Sequence, residues 1–197
     1  MTTLATITLD EKELVAAATV GVLRCITHLV RGDTMKHRGT RDWTLDIEGA
    51  CAECAAAKGL GVYWDGMGLT GDVRGVEVRH TQRPDGHLLL HDGDDQGEKP
   101  YLLVTGSAPT YVLRGWVWGH EGKRPVYCAG PPRLRTPGYM VPQAALRPFA
   151  TLLALVPIGA TREPPPIALV ALAAAGVVAA QRPAPRYIEL ADDDVIL

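Results

Sequence analysis

Apolar and small residues recur at helical spacing along the first thirty positions: Leu14, Ala17, Ala18, Gly21, Val22, Cys25, Ile26 and Leu29. Positions spaced this way share one face of a 3.6-residue period, so an amphipathic helix is predicted to about Arg31, stopping at Gly32-Asp33. Its start lies in Thr8-Leu9-Asp10-Glu11-Lys12-Glu13, with Thr8 or Asp10 as N-cap and acids in the first turn, where they meet the positive end of the helix dipole. A polar, basic loop follows from Met35 to Arg41. A second helix is predicted from about Asp42 to Lys58, with Gly59 or Gly61 as its C-terminal cap. Its Gly49, Ala50, Ala52, Ala55, Ala56 and Ala57 are small, so a sheet can approach its backbone closely.

From Gly61 the pattern changes to short strands: Val62-Tyr63-Trp64, then a glycine-rich turn from Asp65 to Gly71, then Val73 to Thr81. A turn at Arg83-Pro84-Asp85-Gly86 precedes three more strands, His87 to His91, Tyr101 to Thr105 and Tyr111 to Trp118. Val, Tyr, Trp and Leu fill these runs while Gly, Pro and Asp punctuate them, as in a meander. Helices first and strands afterwards predict an α+β fold, two N-terminal helices packed on a mixed or antiparallel sheet. The composition shifts after Pro148, which divides the chain into a domain over 1–148 and a Pro/Ala-rich extension over 149–197. Within the extension, Ile167 to Ala180 is uncharged but only 14 residues long. A spanning helix needs roughly 20, so a docked apolar helix is expected rather than a membrane segment. Prolines (Pro164 to Pro166, Pro183, Pro185) flank it as linkers, and Asp192-Asp193-Asp194 forms an acidic end.

The chain has 197 residues, 47% of them hydrophobic, which is enough for a real core and argues against disorder over most of its length. A formal charge of -2 provides no global attraction to nucleic acid. The local distribution says more. Asp85 to Glu98 holds five acids and no Lys or Arg, whereas Tyr111 to Phe149 holds six bases against Glu121 alone. Phosphate contact is therefore expected in the second stretch, through Arg114, Lys123 and Arg124, with Trp116 able either to stack on a base or to pack in the core. The cysteines Cys25, Cys51, Cys54 and Cys128 do not form a disulfide pattern, and the single Cys-x-x-Cys at Cys51 to Cys54 lies in an alanine-rich helix. Buried thiols in a reducing cytoplasm are expected instead. The N-terminus lacks the basic and apolar regions of a signal peptide.

Chemistry concentrates in Gly71 to Thr81, which carries Asp72, Glu77 and Arg79. Residues two apart on a strand share a face, so Glu77 and Arg79 point together, while Val76, Val78 and His80 take the other face. Asp72 is out of phase with Glu77 on a flat strand, and a bulge or bend at Gly75 is needed to bring it alongside. Two converging carboxylates bind Mg²⁺ or Mn²⁺ and otherwise repel each other. Glu48, Glu53 and Lys58 on the preceding helix are within the same reading as a further acid and a further ammonium.

Helix with Glu, then strand, then Asp, then Glu-x-Lys on a strand resembles the PD-(D/E)XK nuclease superfamily. The run Glu48 to Lys58 followed by Tyr63-Trp64, with Asp72-Val73, Val78-Arg79, Asp92-Gly93-Asp94-Asp95, Leu103 to Gly106 and Gly115-Trp116, looks like phage and prophage proteins placed in that superfamily. The resemblance covers about Leu9 to Pro148. It implies metal ligation by Asp72, Glu77 and Glu53 (Glu48 as second choice), with Arg79 in the place of the motif lysine. An arginine cannot give up its proton as a base, so it would fix a phosphate or a water, with Lys58 as a relocated ammonium. The implied activity is Mg²⁺- or Mn²⁺-dependent hydrolysis of DNA in the host cytoplasm. The alternative is a non-catalytic phage accessory protein that binds nucleic acid or a host factor and keeps only the fold. A homo-oligomer is compatible with either. Three plainer assignments compete locally: Glu77 and Arg79 as a solvated strand face, His80, His87, His91 and Asp92 as a His/carboxylate site or simply exposed histidines, and Asp92 to Asp95 as a hairpin tip.

Overall fold

In the computed structural model of the chain, residues 4–31, 43–66, 72–94, 97–130 and 137–156 are described, all within a first compact unit, Met1–Pro164. The loop from Met35 to Arg41, Gly71, Asp95, Arg133, Arg135 and the apolar run of the extension with its flanks lie outside the described residues. The fold is α+β, as the pattern predicts: two long helices precede a small antiparallel sheet and all but the first strand of a mixed sheet.

Strand β1 (Ala5–Thr8) precedes helix α1 (Glu11–Arg31). Asp10 and Glu13 start α1 by a reciprocal exchange: Asp10 Oδ1 accepts the Glu13 N–H at 3.0 Å, and Glu13 Oε2 accepts the Asp10 N–H at 2.7 Å. Two amides that the helix itself leaves without acceptors are satisfied this way. Helix α2 (Trp43–Leu60) ends where Gly61 adopts a left-handed φ of 68°. The Val62 N–H reaches the Ala57 carbonyl at 3.0 Å and the Gly61 N–H the Lys58 carbonyl at 3.2 Å, the paired bonds of a glycine-terminated helix.

Strands β2 (Glu77–Thr81), β3 (Leu88–His91), β4 (Pro100–Ser107) and β5 (Thr110–Trp118) follow, with a short helix α3 (Gly119–Gly122), strands β6 (Cys128–Ala129) and β7 (Gly138–Val141), and helix α4 (Phe149–Leu153). The main sheet runs β1-β5-β4-β2, with β2 parallel to β4 and the other pairs antiparallel. The second sheet is β3-β7-β6, antiparallel throughout. Alternation divides the main sheet's side chains between two cores. Val78, Leu102, Val104, Leu113 and Trp116 pack with the alanines of α2, while Tyr101, Leu103 and Val117 pack with Leu88, Leu90 and Val141 of the second sheet.

Several expectations are corrected. Val62-Tyr63-Trp64 forms no strand; the helix cap and a hydrogen bond from Trp64 to α2 consume it. Strands β1, β6 and β7 were not foreseen. The folded unit also passes the boundary at 148, because Phe149, Leu152 and Val156 are buried in the core beneath β5 and Trp116 pairs with Arg147 through two backbone hydrogen bonds.

The small face of α2 is used fully: Ala50 to Ala57 are buried without interruption. Helix α1 meets α2 so closely that a Cβ on Gly21 would lie 2.5 Å from Ile47 Cα, a backbone atom that cannot step aside. Gly49, by contrast, has nothing within 4 Å of an added Cβ. Gly21→Ala should therefore cost about 2–3 kcal/mol, as overpacking does. Gly49→Ala should be neutral or gain up to about 1 kcal/mol from helix propensity. Urea unfolding of both variants checks the helix contact, and equal midpoints would contradict it.

Candidate functional site

The run from Asp72 to Thr81 does not form one strand. Val73 and Val76 exchange both backbone hydrogen bonds, at 3.0 and 2.9 Å, across a two-residue turn whose Arg74 and Gly75 have φ of 49° and 84°. Positive φ at both central residues is the mark of a tight hairpin turn, and glycine makes the second position inexpensive. The bend expected at Gly75 is present, as a reversal of the chain rather than a bulge. It lays Asp72 beside the beginning of β2, where Asp72 Oδ2 accepts the Val78 N–H at 2.8 Å. β2 is an edge strand, so this carboxylate takes one of the amides the edge leaves unpaired.

Asp72 is the electrostatic centre of the region. Burial, followed by the field of Glu53 and, more weakly, that of Glu77, pushes its carboxyl up to about 6, against the Val78 amide and Arg79, which act to lower it. Two of the acids named from the sequence thus act on the third at this point. Among the described residues, however, no group of three or more His, Cys, Asp and Glu side chains stands close enough together to hold a metal ion.

The sheet explains why. Partners in a parallel pair share a face, and Glu77 and Arg79 are level with Tyr101 and Leu103, on the side of the second sheet. Glu53, on α2, belongs to the helix side. It is 6% exposed and gripped by Arg24 of α1, whose guanidinium nitrogens donate to its two oxygens at 2.5 and 2.7 Å. Trp64 Nε1 adds a third donor to Glu53 at 3.2 Å, and Arg24 also donates to the Gly66 carbonyl at 3.0 Å. A fork of this kind is the strong form of a charge pair and is what allows a carboxylate among alanines. Arg24 was not singled out from the sequence. Its only signal was a cation on the otherwise apolar, buried side of α1.

On the other face, Glu77 pairs with Lys99 at 2.5 Å and with Arg79 at 3.6 Å. Arg79 pairs with Asp94 at 2.9 Å and lies 5.3 Å from the Tyr101 ring centre, while its Nε is buried without a hydrogen-bond partner. Lys123 donates to the carbonyls of Asp92 and Asp94, so the acidic turn is held by a cation from the basic stretch.

No protein-family model, curated protein or solved structure matches the chain.

The remaining site expectations fall as follows. Lys58 is not brought to Asp72: its ammonium pairs with Glu13 at 2.7 Å and donates to the Thr8 carbonyl at 2.9 Å, tying α2 to the start of α1. Glu48 accepts the Tyr111 hydroxyl at 2.8 Å. Trp116 is 1% exposed and donates to Thr151 Oγ1 at 2.9 Å, so it packs in the core and is closed to bases. Arg114 sits at a bulge in β5 and donates to Thr105 Oγ1 at 2.7 Å. Arg124 is exposed.

Because the folded-state carboxyl of Asp72 is raised above its ordinary value, its ionisation removes stability as pH rises through about 6 and costs nothing while the group is protonated. Asp72→Asn keeps an acceptor for the Val78 amide and removes the charge. At roughly 1.4 kcal/mol per unit of pKa, discounted for partial solvent exposure, it should stabilise the fold by about 1–2 kcal/mol at pH 8 and by nothing near pH 4. Denaturation curves at the two pH values check this, and a difference that does not change with pH would refute the acid cluster.

Proposed function

We propose that the protein is a Mg²⁺-dependent nuclease acting on DNA, with Asp72 and Glu77 as the metal-holding pair. The observation that carries this reading is the turn at Arg74-Gly75, which sets Asp72 at the head of β2 where the fields of Glu53 and Glu77 meet on it. Glu53 and Glu77 have their own cations, but their fields still raise Asp72, and a carboxylate held in such a field is relieved by a cation. The donor set fits Mg²⁺, which is usually held by one or two carboxylates and completes its shell with water and substrate phosphate. The order of helix Glu, Asp and Glu-x-Arg, resembling the PD-(D/E)XK arrangement, supports the same reading.

When bound, Mg²⁺ would acidify a coordinated water and offset charge building on the phosphate. Asp72 and Glu77 would hold it, and Glu77 would have to exchange Lys99 for the metal. Arg79, fixed by Asp94 and unable to act as a base, would position a phosphate oxygen. Glu53 would act through Asp72, its own charge being neutralised by Arg24.

A second reading follows from those same ion pairs. With Glu53 closed by Arg24 and Glu77 by Lys99, the site also suits a protein that binds nucleic acid and does not cut it. One assay separates the two: plasmid and linear DNA are incubated with Mg²⁺, Mn²⁺ or EDTA, comparing wild type with Asp72→Ala and Glu77→Ala, each checked for folding by circular dichroism. Metal-dependent cleavage that falls at least about 100-fold in both variants is expected, in line with losing transition-state charge stabilisation. Cleavage unchanged in both would sink the site assignment, and a wild type that does not cleave would favour the second reading.

A further inference from the structure

Between β2 with its following turn and β3 lies a groove of about 480 Å³. Two arginines line it, Arg79, which is paired with Asp94 and Glu77, and Arg83, with His80, His87 and His91 beside them and Asp85 as the one acid of the lining. Its floor is apolar, made by Leu89, Leu103 and Met140. A second cavity of about 290 Å³ shares His87 and Met140 with it and adds Tyr127 and Val126. The two therefore adjoin, with a charged end at Arg79 and Arg83 and an apolar, aromatic end at Tyr127.

We propose that this double groove receives a single strand of nucleic acid, with a phosphate at the arginine end and a base against Tyr127 and Met140. The proposal rests on the reading above for nucleic acid as substrate, and it adds the form of the strand. Three features lead to it. A single strand alternates anionic phosphate with flat apolar bases, and the groove alternates the matching surfaces in the same order. The larger volume falls in the range of pockets that enclose small ligands, so it suits an unstacked nucleotide. A duplex keeps its bases stacked inside and cannot offer one to such a depression, whereas a single strand can splay a base out. The local pairing of Arg83 is no obstacle: its bond to Asp85 at 3.0 Å is between side chains about three-quarters exposed, where solvent screens the pair and a phosphate can exchange for the carboxylate. The rings of His87 and His91 suit both tasks, donating to phosphate oxygen or stacking on a base, whereas His80 is engaged with the Gly106 carbonyl. Arg79 borders the groove and also pairs with Glu77, so a strand lying here passes directly beside the proposed metal pair.

The test is anisotropy of a fluorescein-labelled dT12 and of a 12-base-pair duplex, titrated with the full chain in EDTA so that cleavage plays no part. Wild type should bind the single strand at least about 10-fold more tightly than the duplex. Arg83→Ala combined with His87→Ala should weaken single-strand binding about 10-fold and flatten its salt dependence by roughly 0.7–1 in slope, the value for one lost phosphate contact. Arg83→Lys should keep most of the binding, since it keeps the charge. Tight duplex binding, or a double variant that binds dT12 as wild type does, would overturn the proposal. Single-strand binding through the groove without any metal-dependent cleavage would leave it standing and remove the nuclease reading. Cleavage without groove-dependent binding would do the reverse.

Discussion

The fold depends on one constraint: α2 is a wall of alanines that must carry a carboxylate through its middle. Small side chains let α1 come within backbone contact on one side and the sheet close in on the other, so the helix is buried from Ala50 to Ala57. A charge in such a place is tolerated only if its partner arrives with it. Arg24 supplies that partner from α1, and Trp64 and Gly66 complete the hydrogen bonds from the segment just after α2. The pair thus does more than neutralise Glu53. It fixes the register of α1 on α2 and pulls the chain after the helix back across it, which ends any tendency of Val62 to Trp64 to extend as a strand.

The same pair sets the electrostatics at the sheet edge. Asp72 stands in the field of Glu53, and Arg24 in the field of Asp72, so the helix pair and the hairpin turn are linked although no hydrogen bond joins them. The result is uneven. Glu53 has its counter-charge at hydrogen-bond distance, while among the described residues Asp72 has one backbone amide and the more distant Arg79. Of the acids near β2, Asp72 is the one that a cation would relieve most.

How much of this was legible in the sequence follows from which interactions are local. The start of α1 could be read because Asp10 and Glu13 satisfy each other three residues apart, and the end of α2 because Gly61 supplies the left-handed residue that the cap requires. Strand β1, four residues with a half-buried alternation, is held by antiparallel pairing to β5 about a hundred residues later. β7 is equally short and depends on β3. No local pattern of such length distinguishes a strand from a loop. Trp116 stayed open between base and core for a related reason. Period-two spacing assigns it a face of the strand, but only the packing of α4 shows that this face is closed.

The site was half legible for the same physical reason. Sequence order places Asp72, Glu77 and a helix Glu in succession, and the need for a bend at Gly75 followed from counting side chains. Which face each acid takes did not follow, because it depends on the register of β2 against β4. That register puts Glu77 and Arg79 opposite Tyr101 and Leu103, away from α2. Asp72 escapes the division because it lies off the end of the strand and reaches its open edge. An edge strand is where the two faces of a sheet meet, so a carboxylate there can feel Glu53 from one side and Glu77 from the other. A site made this way needs the edge to stay open: a strand paired against the outer side of β2 would take the Val78 amide and displace Asp72 from the one position where both fields converge.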